Sequence, residues 1–442
     1  MIPFELPLLA ILAVMSVDYL IPISAASTLP SETPTSTLTV TKLDDTNDGN
    51  CNADCSLREA IAAADPNDLI SFSSGLAGTI TLDSTLVVSK NLTIKGPDKN
   101  VILISGNNAV RIFYVNAGVH FTIKNLSISG GSVKAVNGSP DTLGRAGGDA
   151  RGGALYSDGG IVTIINSTFS DNGVTGGAGG GDGRWGGQGM GGAVFSTGAL
   201  VMLNSTFSHN QAKGGPGSPS IMQPSGSPGG EGMGGAIFST GTLVTVNSTL
   251  SGNKAIGEKT AIGSARSGLW GGRILFGDGY SYGYGGAIFT TSEVWMSNCT
   301  LVDNTASKGS AIYRLGALPF KNKLVINPSG AITIKNTLIA DNSFGGNCDA
   351  SIISEGYNID SDGTCGLQAA GDLTGINPKL ETLKDNGGAT LTHALLPGSP
   401  AIDSGNPAGC TDHKGKAILT DQRGRIRPWG DQCDIGAFEF SR

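Results

Sequence analysis

The chain has 442 residues, of which 69 are glycine, 39% hydrophobic and only 15% charged. Glycine is at more than twice its usual ~7% share, yet the apolar content suffices for a core, which argues against a disordered chain. A net charge of −7 without any Lys/Arg cluster argues against nucleic-acid binding and against recruitment to an anionic membrane.

Residues 6–15 (LPLLAILAVM) are an apolar run too short to cross a bilayer, followed by the small residues Ser24, Ala25 and Ala26. Residues 1–26 are therefore expected to be a secretory signal peptide, and 27–40 a Ser/Thr/Pro linker. An exported chain oxidises its thiols. The local clustering of the seven cysteines suggests Cys51 with Cys55, Cys348 with Cys365, and Cys410 with Cys433. Cys299 is left over, in a column filled elsewhere by Ser167, Ser205 and Ser248, and reads as a small packed residue.

Residues 41–75 are expected to form an N-terminal cap. LDDTNDGNCNADC concentrates Asp44, Asp45, Asp48 and Asp54 with Asn47 and Asn50. These could supply oxygen ligands to calcium, but the distal glutamate of an EF-hand is missing, so a solvated turn beside a disulfide is expected. In CSLREAIAAAD, Ser56 and Glu59 form a capping box, and Leu57, Ala60, Ile61 and Ala64 share one face of a short helix.

From residue 76 to about 370 the chain repeats itself. GGALYSDGGIVTIINSTFSDN, GGAVFSTGALVMLNSTFSHN, GGAIFSTGTLVTVNSTLSGN and GGAIFTTSEVWMSNCTLVDN begin at residues 152, 191, 234 and 285. Aligned, they place Asn166, Asn204, Asn247, Asn298 and Asn336 in one column, which extends upstream to Asn125 and Asn91. Apolar residues two and four positions before it, such as Ile164 and Val162, alternate as a half-buried strand requires. The next apolar column, Ile94, Ile128, Phe169, Phe207, Leu250, Leu301 and Ile339, lies three residues after it, so the chain must turn a corner at the asparagine. A second column, Asn172, Asn210, Asn253, Asn304 and Asn342, closes a further short strand, and the G-G-A-aliphatic-aromatic segment supplies a third. Only 24 residues separate Gly285 from Gly309. The pattern predicts an all-β fold, a parallel β-helix with three strands per rung, rungs about 4.8 Å apart, and asparagine ladders at the corners. Four first-column asparagines lie in N-S-T or N-C-T sequons, but stacking accounts for the column better than glycosylation does.

Between repeats, insertions at 173–190, 211–233 and 254–284 all leave from one corner and are expected to project from one side. They carry an aromatic set, Trp185, Trp270, Tyr280, Tyr282 and Tyr284, suited to stacking on sugar rings, docking a protein, or packing on the solenoid. Arg266, Arg273 and Asp278 are the nearest thing to a catalytic set and read more simply as a solvated loop. The same bland reading applies to Asp360 and Asp362 beside Gly363. In the C-terminal segment, 371–442, Arg423, Arg425 and Arg427 alternate and are expected to share one face that pairs with carbonyls or carboxylates of the helix body.

CSLREAI, behind its Asp/Asn-rich stretch, resembles the CSLREA domain of bacterial secreted proteins. NPKLETLKDNGGATLTHALLPGSPAIDSG with TDQRGRIRPWGDQCDIGAFEF is similar to the choice-of-anchor Q domain, and the G-G-A-I and F-x-x-N elements resemble the repeats of chlamydial polymorphic outer-membrane proteins. The resemblance implies a right-handed parallel β-helix like that of pectate lyases, at the cell exterior. The chain stops at Phe440, Ser441 and Arg442 with no sorting tail, so release or non-covalent retention is expected, with no transmembrane anchor in the mature chain.

Pectate lyases make polysaccharide cleavage the enzyme hypothesis, but the repeats carry Ser, Thr, Asn and Gly where a lyase or hydrolase needs clustered acids and bases. No zinc pattern, phosphate loop or nucleophile elbow stands in a supporting context, and no cofactor is expected. The expectation is an exported binding or adhesion protein whose insertions meet a glycan or a cell-surface protein. A polysaccharide lyase or glycoside hydrolase is the first alternative, and a structural surface protein the second.

Overall fold

The computed structural model describes residues 34–97, 101–139, 144–181, 183–219, 227–259, 281–315 and 330–441. Trp270, Tyr280, Arg266, Arg273, Asp278, the expected signal peptide and the first half of the expected linker, 27–33, lie outside these residues.

The fold is a right-handed parallel β-helix. Among the described residues, two walls of ten strands and one of eight run its length. The first wall extends from Thr37–Val40 to Ile352–Ser354, the second from Gly78–Thr81 to Leu373–Thr374, and the third from Leu86–Val88 to Cys348–Asp349. Repeat sets the register: Val162 pairs with Leu200, Leu200 with Leu243, Leu243 with Val294, and Val294 with Ile332. The predicted inward columns are buried, from Ile94 through Phe169 and Phe207 to Ile339. Thr37–Val40, expected in the linker, instead forms the first strand, paired with Leu69–Phe72, because its alternating Leu38 and Val40 complete the apolar face.

The corner predicted at the first asparagine column is made by backbone of positive φ, between 46° and 56° from Asn125 to Asn336. Asparagine tolerates this left-handed region better than other side chains. Asn91 does not belong to this set: its Oδ1 accepts the backbone N–H of His120 at 2.9 Å. The second column is buried and continuous. Asn172, Asn210, Asn253, Asn304 and Asn342 each donate Nδ2 to the next Oδ1, at 2.8–3.0 Å, the last reaching Asn347. Asp360, expected in a solvated turn, is instead buried at the end of this ladder, accepting from Asn347 at 2.7 Å, while Asp362 accepts from Thr364 and the Asn347 N–H.

In their described residues the insertions form paired strands. Their outgoing stems, Ser132–Lys134 to Ser343–Phe344, form a six-stranded sheet, and their return stems, Ala150–Arg151 to Gly283–Tyr284, a four-stranded one. Each inserted rung therefore has two strands beyond the three predicted. Past the stems, the legs pack backbone on backbone: Gly230 donates to Gly215, Gly215 to Gly187, Gly187 to Gly177 and Gly177 to Gly148, at 2.7–2.9 Å. A Cβ on Gly187 would lie 1.8 Å from the Gly148 oxygen. Close approach rather than unusual dihedrals makes glycine obligatory there, as at the axis of a collagen helix.

The N-terminal cap is as predicted, a helix over Leu57–Ala63 with a complete Ser56/Glu59 capping box. The Asp-rich turn is held by protein groups: Asp45 is buried against Arg58 (2.6 and 2.9 Å), and Asp54 meets Lys42 at 3.0 Å. All three expected disulfides are present. Cys299 is buried, its thiol pushed up to about 11 by burial.

The C-terminal segment straps across the outside of the first two walls. Gln422 is buried, donating to Thr206 Oγ1 (2.8 Å) and accepting from Thr249 Oγ1 (2.7 Å); the Ala437 N–H donates to Thr300 Oγ1 at 3.0 Å, and the Asn336 amide donates to the Asp434 carbonyl at 2.8 Å. Of the alternating arginines, two turn inward and one does not. Arg427, 2% exposed, donates to Glu439 and the Gly436 carbonyl (both 2.8 Å) and to Asn247 Oδ1 (3.3 Å), and Arg423 pairs with Asp421 at 2.7 Å. Arg425 is exposed because the tight turn between Asp421 and Arg425 reverses the strand.

Candidate functional site

In the third-wall strands from Leu155–Ser157 to Ile312–Arg314 the first, aliphatic residue points inward, so the aromatic beside it points out. Stacking of rungs turns these aromatics into a ladder: Tyr114, Tyr156, Phe195, Phe238 and Phe289 lie 4.8–5.2 Å apart with ring planes within 9° of parallel. The return stems cover it. Arg151, Met190, Met233 and Tyr284 occupy one register column, and Met190 and Met233 pack on Phe195, Phe238 and Phe289 in a second apolar cluster outside the helix core. At the N-terminal end, Arg111 lies over Tyr156 and Arg151 over Phe195, at 5.3 and 5.5 Å.

The other end differs. Tyr284 takes the place of the methionines and meets Tyr313 at 4.7 Å with planes tilted 53°, and Tyr282 meets Tyr284 at 5.9 Å and 55°. Tyr282 is 49% exposed. Asp349 follows Tyr313 in the column, and Lys308 bridges to Tyr284 through the backbone. Glu231 sits one residue before the Gly232–Met233 strand, with Oε2 buried and no hydrogen-bond partner; Arg314 Nε shares that condition. Burial alone pushes the Glu231 carboxyl up to about 7. Burial, then Glu231, holds the Tyr284 hydroxyl well above the usual tyrosine range, and Tyr313 is raised by burial, Asp349 and Glu231. Three angled rings and two carboxyl groups thus converge at one end of the ladder.

Of the predicted aromatic set, the structure brings together Tyr282 and Tyr284. Trp185 lies two insertions away, 36% exposed, its carbonyl held by the Gly147 N–H at 2.9 Å, and none of the described ring contacts joins it to the tyrosines. Sequence reasoning missed Tyr313, Asp349 and Glu231. Tyr313 was findable, since S-A-I-Y at 310–313 continues the G-G-A-aliphatic-aromatic column. Glu231 holds the position of Gln188 and Tyr282 ahead of the repeated G-x-G-G-A stem, and only its change of residue type could have marked it. Among the described residues, no group of three His, Cys, Asp or Glu is placed to hold a metal ion.

No family model and no curated protein matches the chain. Among solved structures, the crystal structure of pectate lyase Pel9A is similar at 15% identity and a TM-score of 0.33, over 92% of this chain and 97% of that one. That likeness concerns the fold and carries nothing about activity.

Proposed function

We propose that the protein is exported and acts outside the cell as a glycan-binding β-helix, with the Tyr282/Tyr284/Tyr313 end of the ladder as its contact surface. The observation behind this reading is the tilted, partly open tyrosine set beside an unpartnered carboxyl group. Flat rings give sugars large contact area at little entropic cost, and nearby polar groups orient hydroxyls. Residues 1–26 as signal peptide, the three disulfides, and the resemblance of the two terminal segments to CSLREA and choice-of-anchor Q domains support the location. The proposal keeps Trp185, Trp270 and Tyr280, the other members of the predicted aromatic set, as candidate ligand contacts. A glycan array probed with the wild type and with Tyr282→Ala/Tyr313→Leu tests it: wild-type signal lost in the variant supports the site, and equal or absent signal in both refutes it.

One observation favours a second reading. Glu231 and Asp349 flank the same rings, and hydrolysis of a glycosidic bond uses two carboxyl groups, one of them held protonated near neutrality. New reducing ends after incubation with pectins, alginates or glycosaminoglycans would move the protein to that class.

A further inference from the structure

Within the ladder, parallel rings cover one another's faces, whereas the rings of Tyr282, Tyr284 and Tyr313 meet at more than 50°. Faces left uncovered by such tilting attract a cation set against them. The chain itself uses this attraction at the opposite end, where Arg111 and Arg151 lie over Tyr156 and Phe195. At the tyrosine end carboxylates stand beside the rings instead: Glu231 and Asp349 both act on Tyr284 and on Tyr313. Among the described residues neither takes part in an ion pair, and no Lys or Arg acts on Glu231. A buried carboxyl without a counter-charge is costly to ionise, and a bound cation removes that cost.

We propose that Tyr282, Tyr284, Tyr313 and Glu231 form a site for an organic ammonium group, and that the ligand is an amino sugar with a free amine. The inference rests on the glycan reading above and narrows its substrate class: the ring of the sugar lies on the tyrosines and its ammonium group pairs with Glu231. Neutral sugars and N-acetylated sugars lack that charge and leave the carboxyl unpaired.

Calorimetric titration of the full chain with glucosamine hexamer, its N-acetylated counterpart and cellohexaose tests the proposal at pH 6. The free-amine hexamer should bind at least tenfold tighter than the other two. Glu231→Gln, which keeps the side-chain shape, should erase that margin, and Tyr282→Ala, at an exposed position, should weaken the free-amine hexamer while unfolding at the wild-type temperature. Repeating the titration in two buffers of different ionisation heat should show proton release in the wild type and none in Glu231→Gln. Equal affinity for all three hexamers overturns the cation site and leaves glycan binding standing. Binding of none of them at this site, with glycan-array signal also absent, overturns both.

Discussion

The amide of Asn253 donates to Oδ1 of Asn304 at 2.9 Å across the gap between two rungs, while its own Oδ1 accepts Nδ2 of Asn210 at 2.9 Å and the Asn210 backbone N–H at 3.1 Å. Its second amide hydrogen meets the Phe207 carbonyl at 2.9 Å. Every polar valence of a fully buried side chain is used.

Asn253→Ala should therefore cost on the order of 3 kcal/mol or more, because several buried partners lose their bonds together. Chemical denaturation measures this. A loss under 1 kcal/mol would mean that water enters the corner and replaces the amide.

The glycine legs make a sharper contrast. A Cβ on Gly215 would lie 2.0 Å from the Gly177 oxygen, whereas on Gly173 its nearest neighbour is the Gln211 oxygen at 3.6 Å. Gly215→Ala should destabilise by more than the ~1–3 kcal/mol of ordinary overpacking, and Gly173→Ala should be nearly neutral. Equal melting temperatures for the two variants would contradict the packing described.

Much of this was readable beforehand. The Asn166 to Asn336 column predicted a corner because apolar parity changes across it, and burial of Ile164 and Phe169 on either side confirms that parity. The aromatic column was visible at Phe195, Phe238 and Phe289, but a period says nothing of which ring lies beside which carboxyl group. Glu231 stands in the repeated return stem, at the position of Gln188 and Tyr282, but nothing in the repeat marks it as the carboxyl group that stays unpartnered beside Tyr284. The strap was equally silent: Gln422 and Thr206 are 216 residues apart, and no local pattern links them.

Glu231 sets a pH dependence. Its folded pKa of about 7 lies above the ordinary 4.5, so the stability it contributes is complete below the ordinary value and is lost as pH rises through about 7. The titratable groups it acts on are Tyr284 and Tyr313, and Tyr282 follows it in register on the next return stem. Glu231→Gln, neutral throughout, should melt above the wild type at pH 8.5 and lose that advantage at pH 5. A constant difference between the two pH values would show that Glu231 does not titrate in this window.

Arg427 is a buried charge answered by Glu439, and Asp434 beside them is pushed up to about 7 by burial and by Glu439. Removing one partner of a buried pair typically costs about 3–5 kcal/mol. Arg427→Met should speed amide exchange across residues 417–440 far more than in the N-terminal cap. Uniform protection in the variant would rule out its role as the pin of the strap.

That strap changes how the whole stack fails. A solenoid whose rungs touch only their neighbours can fray one rung at a time from either end. Here a single late stretch of chain grips the rungs of Thr206, Thr249, Thr300 and Asn336 at once. Those four rungs must open together or not at all, and the grip forms only after every one of them has been made. Until then the coil is a spring without its clasp.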